Sequence, residues 1–70
     1  MKNITFINPP TECDICHKEI KEKFVDGGTI WGPWANMCPE CFGNYGIGLG
    51  TGRGQEYKKN EEGKYVKIAG

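Results

Sequence analysis

Apolar residues along the chain occur in short groups, separated by charged residues, glycine or proline, which predicts short strands and one short helix. The run NITFIN at 3–8 is prone to form a strand. Further along, the sequence DGG at Asp26–Gly28 predicts a hairpin turn between Phe24-Val25 and Thr29-Ile30. The sequence WGPW at 31–34 predicts a second turn before the chain reaches the next cysteine.

A helix is predicted from about Pro39 to Tyr45, with Gly46 as its C-terminal stop. Cys38 would be the N-cap, and proline suits the first helical position because no N–H is needed there. Glu40 would lie near the positive end of the helix dipole, where the free N–H groups also stabilise thiolates. The sequence therefore places a cysteine pair at the start of this helix.

Glycine occupies every second position from Gly46 to Gly54. A phosphate-binding loop is not supported, because neither the G-x-G-x-x-G spacing nor a Gly-Lys-Ser/Thr ending is present. A flexible linker is one interpretation. We favour an ordered, extended strap, in which the glycines form a bare face that lies against the aromatic residues of the hairpin or is reserved for a partner.

The C-terminal segment 55–70 is mostly polar. It predicts two short strands around a turn at Asn60 to Gly63, and a frayed tail is the alternative. With a metal core at about 11–46 and the glycine-rich segment 46–54, the chain is expected to form a single zinc-binding domain over 1–70.

A chain of 70 residues, of which 37% are hydrophobic, has little material for a core. Domains of this size bury only about 60% of their unfolded surface and usually need disulfides, a metal or a partner. Nine basic residues balance nine acidic residues, so the excess of positive charge that is typical of nucleic-acid binding is absent. The N-terminus shows no secretory signal and no segment is apolar enough to span a bilayer, so we expect a reducing cytoplasm and no structural disulfides.

The four cysteines form two C-x2-C pairs, CDIC and CPEC, separated by 21 residues. Two residues between cysteines allow a tight turn to direct both sulfurs at one point, and two such turns complete a tetrahedron at ~2.3 Å from Zn²⁺. We expect one structural Zn²⁺ per chain, held by Cys13, Cys16, Cys38 and Cys41. Because four thiolates close the site, His17 is expected to lie beside the metal site or on the surface.

Zinc is favoured over iron by the residues that follow each pair. A rubredoxin-type iron site has two similar knuckles, each with glycine after its second cysteine, where this chain has His17 and Phe42. Histidine tolerates a positive φ moderately, but a bulky phenylalanine there would be an outlier. The order of knuckle, hairpin and helix predicts a small metal-stabilised α+β fold of the treble-clef type, with a zinc ribbon as the alternative.

Four aromatic residues lie close to the second cysteine pair in the sequence. We expect them to form the small core beside the metal, because little else in the chain can fill one. The alternative is an exposed platform for bases or for a partner protein. The residues are Trp31, Trp34, Phe42 and Tyr45.

The segment FVDGGTIWGPWANMCPECFGNYGIGLGTGRGQEYKK resembles a group of small, mostly uncharacterised zinc-finger proteins encoded by bacteriophages and prophages. The resemblance covers about residues 13–59, and its specific parts are the strings GPWANMC and GLGTGRGQ. It implies a phage context, the cytoplasm of a host bacterium as the location, and metal ligation by the four cysteines. It implies no activity.

The composition excludes a Ser-His-Asp catalytic arrangement, because the chain has no serine and one histidine. We therefore expect a non-enzymatic zinc module that binds a protein partner, with a host protein that it modulates as the expected target. No membrane or small-molecule ligand is indicated. The alternative is weak, salt-sensitive binding of nucleic acid through Arg53, Lys58 and Lys59 with Tyr57 between them. The same four residues are the candidate contacts for a protein partner.

Overall fold

The computed structural model describes residues 9–70, within which the chain forms one antiparallel sheet and one helix. The spatial order of the four strands is β2-β1-β3-β4, so β1 lies between its hairpin partner β2 and the C-terminal strands. This small α+β architecture agrees with the expected fold class. The strand-prone run at 3–8 lies outside the described residues. In chain order the elements are β1 (Lys23–Gly28), β2 (Trp34–Met37), α1 (Pro39–Tyr45), β3 (Gly54–Lys59) and β4 (Tyr65–Ala69).

The first hairpin turns later than the sequence predicted. Asp26–Gly28 is not a turn but the end of β1, and it pairs with β2. The chain reverses between Thr29 and Pro33, where the Thr29 N–H and hydroxyl both donate to the Pro33 carbonyl, at 3.2 and 2.9 Å. The turn predicted within 31–34 falls in this reversal. Gly27 is needed in the strand because a Cβ there would lie 2.9 Å from the backbone of β3.

Helix α1 begins and ends where the sequence predicted. Cys38 is the N-cap with extended backbone, Pro39 occupies the start of the helix, and Glu40 lies in the first turn. At the other end, the Gly46 N–H donates to the Phe42 carbonyl at 2.9 Å. The helix packs against β1 and β2, so it carries the second cysteine pair to the first hairpin.

The C-terminal segment forms the predicted hairpin, and the alternative of a frayed tail is wrong. In the turn between β3 and β4, the Asn60 N–H donates to the Lys64 carbonyl at 2.8 Å. The Asn60 side-chain oxygen accepts from the N–H groups of Glu62 and Lys64, both at 2.9 Å. The hairpin also extends the sheet, because β3 pairs with β1. The sequence did not predict that pairing.

The sheet divides the core into two clusters. Phe24 and Val25 are consecutive in β1, so their side chains point to opposite faces. On the face covered by α1, Val25 packs with Cys13, Met37 and Cys41. On the other face, the cluster consists of Phe24, Ile20, Tyr57 and Tyr65.

The expectation that four aromatic residues form the core beside the metal is wrong for both tryptophans. Trp31 and Trp34 are 59% and 49% exposed, while Phe42 and Tyr45 are half-buried. The reason is that Val25 and its neighbours already fill the space between the sheet and α1. The tryptophans instead lie at the turn end of the first hairpin.

The glycine-rich segment 46–54 is not the extended strap that the sequence predicted. Gly48, Gly50 and Gly52 have φ angles of 122°, 123° and 79°, which are incompatible with a regular strand. The segment forms a hydrogen-bonded loop, in which the Gly50 N–H donates to the Gly54 carbonyl at 2.8 Å and the reverse bond is 3.0 Å. Glycine at these alternate positions therefore allows the positive φ angles of a loop and does not form the bare face of a strand.

Candidate metal centre

The four cysteines of the two C-x2-C pairs meet at one site. Their sulfur atoms all lie within 4.8 Å of one another, as their spacing predicted. Cys13 and Cys41 are buried, Cys38 is half-buried and Cys16 is exposed. The site therefore lies at the edge of the core cluster on the helix side of the sheet.

The first pair lies in a tight knuckle. The His17 N–H donates to the Cys13 carbonyl at 2.9 Å, and the Cys13 N–H donates to the Lys18 carbonyl at 2.9 Å. The chain completes this turn at His17, which has a φ of 65°. Among non-glycine residues, histidine is one of those enriched in this left-handed region.

Two hydrogen bonds fix the knuckle to the free edge of β2. The Asp14 N–H donates to the Asn36 carbonyl, and the Asn36 N–H donates to Oδ2 of Asp14, both at 2.9 Å. Because β2 leads directly into α1, this link sets the position of the first pair relative to the second. No sequence signal relates these residues, which are 22 positions apart and meet only after the hairpin has formed.

Backbone N–H groups point at two of the sulfurs. The Ile15 N–H donates to the Cys13 sulfur and the Cys41 N–H donates to the Cys38 sulfur, each at 3.4 Å. The second bond is the N-cap interaction of α1, so one sulfur both caps the helix and faces the site. Such bonds favour the charged thiolate over the neutral thiol.

The ionisation of the four thiols is unequal. Burial opposes ionisation of Cys13, yet backbone hydrogen bonds outweigh it and lower the pKa of its thiol to about 6. Burial raises the pKa of Cys38 and Cys41, and the neighbouring cysteines raise that of Cys41 further. Four thiolates so close together therefore need a cation to balance their charge.

The geometry and chemistry of the donors fit a tetrahedral metal ion. The sulfur atoms of Cys16 and Cys38 are 3.8 Å apart. In a tetrahedron with metal–sulfur bonds of ~2.3 Å, neighbouring sulfurs are about 3.8 Å apart. The four cysteines together supply a complete tetrahedral ligand set for one metal ion.

Two charged residues flank the site without joining it. The imidazole of His17 is exposed and its Nδ1 lies 2.9 Å from Glu12 Oε2, which agrees with the expected surface position. The Lys18 ammonium lies 3.4 Å from Glu40 Oε1. The hydrogen bond to Glu40 and the charge of Glu40 raise the pKa of Lys18 most. The charges of Cys16 and Cys38 raise this pKa further. The lysine thus places a positive charge on the exposed side of the thiols.

The residues suggested for nucleic-acid contact do not form one surface. Tyr57 is buried and its ring stacks on Phe24 with a centroid distance of 5.2 Å, so it offers no face for a base. Lys58 and Lys59 are exposed at one end of β3. Arg53 precedes the other end of that strand, about 17 Å away at the usual rise per residue.

Comparison of the chain with protein-family models, with curated proteins and with solved structures returned no match. Within residues 9–70, the seven-residue helix α1 falls well short of what is needed to cross a membrane. The four-thiol geometry is therefore the feature from which a function can be argued.

Proposed function

We propose that the chain is a non-enzymatic module, stabilised by one structural zinc ion, that binds a protein partner. The single observation that carries this proposal is the closed cluster of four sulfurs, which supplies a full tetrahedral ligand set. A catalytic zinc ion would keep one position open for water or substrate. The proposed role of the metal is to hold the fold.

Zinc is proposed rather than iron because the two cysteine pairs occupy different local structures. The first pair is in a knuckle that ends at His17 with positive φ, while Phe42 after the second pair is helical. An iron site of the rubredoxin type uses two similar knuckles. The succession of knuckle, hairpin and helix also supports a treble-clef arrangement.

A protein partner is proposed because the described residues offer little chemistry for a substrate. The one histidine pairs with Glu12 on the surface, and the four cysteines would be taken up by the proposed metal ion. The resemblance to phage-encoded zinc fingers points to a bacterial host protein as the partner. Binding of nucleic acid is less well supported, because Arg53 and the pair Lys58–Lys59 are separated along β3.

The metal is tested on protein purified from cells without added metal. We expect one zinc ion per chain by elemental mass spectrometry and no visible absorption. An iron-thiolate spectrum would contradict the choice of metal. A folded chain without metal would contradict the structural role.

The partner is tested by capture from a bacterial lysate on the immobilised zinc-loaded chain. A zinc-free Cys38→Ser/Cys41→Ser chain serves as the control for binding to unfolded protein. The proposal requires a protein that is retained by the zinc-loaded chain alone and survives nuclease treatment. Retention that nuclease abolishes would favour the nucleic-acid alternative.

A further inference from the structure

One of the four cysteines at the candidate metal centre is open to solvent. Cys16 is exposed, whereas Cys13 and Cys41 are buried. A bound metal ion keeps its cysteine ligands as thiolates, and the thiolate is the form of cysteine that attacks an oxidant. Because oxidation of cysteine follows thiolate character and exposure, a dissolved oxidant should react first at Cys16.

A positive charge lies beside this exposed sulfur. Glu40 raises the pKa of Lys18 most, and the charges of Cys16 and Cys38 raise it further, so the ammonium lies within electrostatic reach of both sulfurs. Reactive cysteines are typically partly exposed and have a basic residue nearby. When a thiolate attacks a peroxide, negative charge develops on the departing oxygen, and a nearby ammonium stabilises that charge. The surroundings of Cys16 therefore favour reaction with a peroxide.

A second sulfur lies close enough to complete the oxidation. The Cys38 sulfur is 3.8 Å from that of Cys16. A disulfide bond is about 2.05 Å long, so the two sulfurs must approach each other by less than about 2 Å. Cys13 and Cys41 belong to the buried core cluster, while Cys38 is partly buried and packs against it. A bond from Cys16 to Cys38 therefore disturbs the core less than a bond to either buried cysteine.

We propose that the metal centre is a redox switch, in which a peroxide oxidises Cys16 and Cys38 to a disulfide and the zinc ion is released. After this oxidation Cys13 and Cys41 remain as ligands, which is half of the tetrahedral set. This proposal rests on the proposed function, because it names how the structural metal ion is regulated. Since the proposed role of that ion is to hold the fold, its release should unfold the module.

The oxidation takes place in two steps, for which hydrogen peroxide is the simplest oxidant. The Cys16 thiolate attacks one oxygen of the peroxide, the O–O bond breaks, and hydroxide leaves a sulfenic acid on Cys16. The Cys38 thiolate then attacks this sulfur, forms the S–S bond and displaces a second hydroxide. The two sulfurs together lose two electrons, which the peroxide gains. The two hydroxides take up two protons from the buffer and become water.

The test treats the zinc-loaded full chain with hydrogen peroxide and measures released zinc with a metal-sensitive dye. Alkylation of free thiols and mass spectrometry of peptides then locate the disulfide. We expect one zinc ion to be released for each Cys16–Cys38 disulfide. A dithiol reductant together with added zinc should restore the bound metal. When dimedone, which traps sulfenic acids, is present during oxidation, its label should appear on Cys16.

Two variants separate reaction at Cys16 from general oxidative damage. Cys16→His keeps a zinc ligand on the exposed side and removes the thiol, so zinc release should be about tenfold or more slower. His17→Asn is the matched control, because it removes the neighbouring imidazole, tolerates the φ of 65° and keeps all four thiols. Its zinc release should match that of the wild type. If Cys16→His does not bind zinc, the position of the dimedone label on the wild-type chain decides.

Several results would overturn the switch. The first is a dimedone label that appears on a buried cysteine before it appears on Cys16. The second is a Cys13–Cys16 disulfide in place of the Cys16–Cys38 disulfide. The third is zinc release from Cys16→His at the wild-type rate.

Failure of the switch and failure of the proposed function give different results. If the wild-type chain keeps its zinc ion while the same peroxide oxidises a free cysteine peptide, the switch is wrong and the structural zinc stands. If the disulfide forms and zinc is released but the amide signals stay dispersed in NMR spectra, the oxidation stands and the structural role is wrong. A chain that is purified without zinc would contradict both.

Discussion

The sulfur atoms of Cys16 and Cys38 lie 3.8 Å apart although the residues are 22 positions apart in the chain. Cys16 lies in the exposed knuckle, and Cys38 is the N-cap of α1. A metal ion bound between them would join the first knuckle to the helix. The first two predictions test how much of the fold depends on that link.

Removal of the metal by a strong chelator should unfold the chain. Structural zinc contributes ~10–16 kcal/mol in zinc-finger peptides, which is comparable to the total stability of about 5–15 kcal/mol of an ordinary domain. The expected result is collapse of the amide dispersion in the NMR spectrum, with recovery when zinc is added back. Retained dispersion in metal-free protein would show that the two core clusters suffice without the ion.

Cys41→Ser should abolish zinc binding at neutral pH, because serine does not replace a buried thiolate ligand. The matched control is His17→Asn, which removes the imidazole and still tolerates the left-handed φ of 65°. This residue adjoins the first pair but contacts Glu12 rather than the sulfurs. The control should keep one zinc ion per chain and its stability should change by less than about 0.5 kcal/mol. A loss of zinc in the control would place the imidazole at the metal.

Asp26→Asn should stabilise the chain at neutral pH. Burial raises the pKa of this half-buried carboxyl, and the like charge of Asp14 raises it further. The folded state therefore favours the protonated carboxyl of Asp26. Ionisation of this carboxyl lowers the stability of the chain as the pH rises through the pKa of the folded state. The gain from asparagine should shrink as the pH falls toward about 4, the ordinary range of aspartate. Denaturant unfolding of zinc-loaded variant and wild type at each pH measures the difference.

The local features of the metal site could be predicted from sequence because each depends on few neighbouring residues. The C-x2-C spacing predicted the cluster, and Cys38-Pro39 predicted the start of α1. His17 was expected beside the metal site or on the surface, and its exposed imidazole pairs with Glu12. In each case one or two neighbouring residues determine the conformation.

Features that depend on distant pairing could not be predicted in the same way. Asp26–Gly28 resembles a turn, but the pairing of β1 with β3 uses Gly27 for close backbone approach. The same pairing buries Tyr57 beside Phe24, which removes it from the surface where the sequence had placed it. The tryptophans were expected in the core because composition alone does not show that Val25 and Met37 already fill it.

Phe24→Ala should destabilise the chain by about 3–5 kcal/mol. Its ring is fully buried, stacked on Tyr57 and in edge contact with Tyr65 at centroid distances of 5.2 and 5.1 Å. The comparison variant is Tyr65→Phe, which keeps the rings and removes one hydrogen bond to the Lys21 carbonyl. That change should cost only about 0.5–1.5 kcal/mol. Equal losses in urea unfolding would mean that the hydrogen bond, not the ring packing, dominates this cluster.

Two Gly→Ala substitutions should have opposite effects. Gly43 lies in α1, and apart from the helix's own backbone nothing lies within 4 Å of its would-be Cβ, so alanine should stabilise the helix by up to about 1 kcal/mol. Gly50 has a φ of 123°, and a Cβ there would lie 2.9 Å from Nη2 of Arg53. Alanine at this position should cost about 1–3 kcal/mol, because an L residue is strained there.

Backbone strain and contact with arginine can be separated at Gly50. In the Arg53→Ala background the close contact is gone, while the φ of 123° still disfavours alanine. We therefore expect Gly50→Ala to remain destabilising in that background, with part of its cost removed. Urea unfolding of the zinc-loaded variants measures both effects. If Gly50→Ala is as harmless as Gly43→Ala, the loop between α1 and β3 would be a flexible linker rather than a fixed turn.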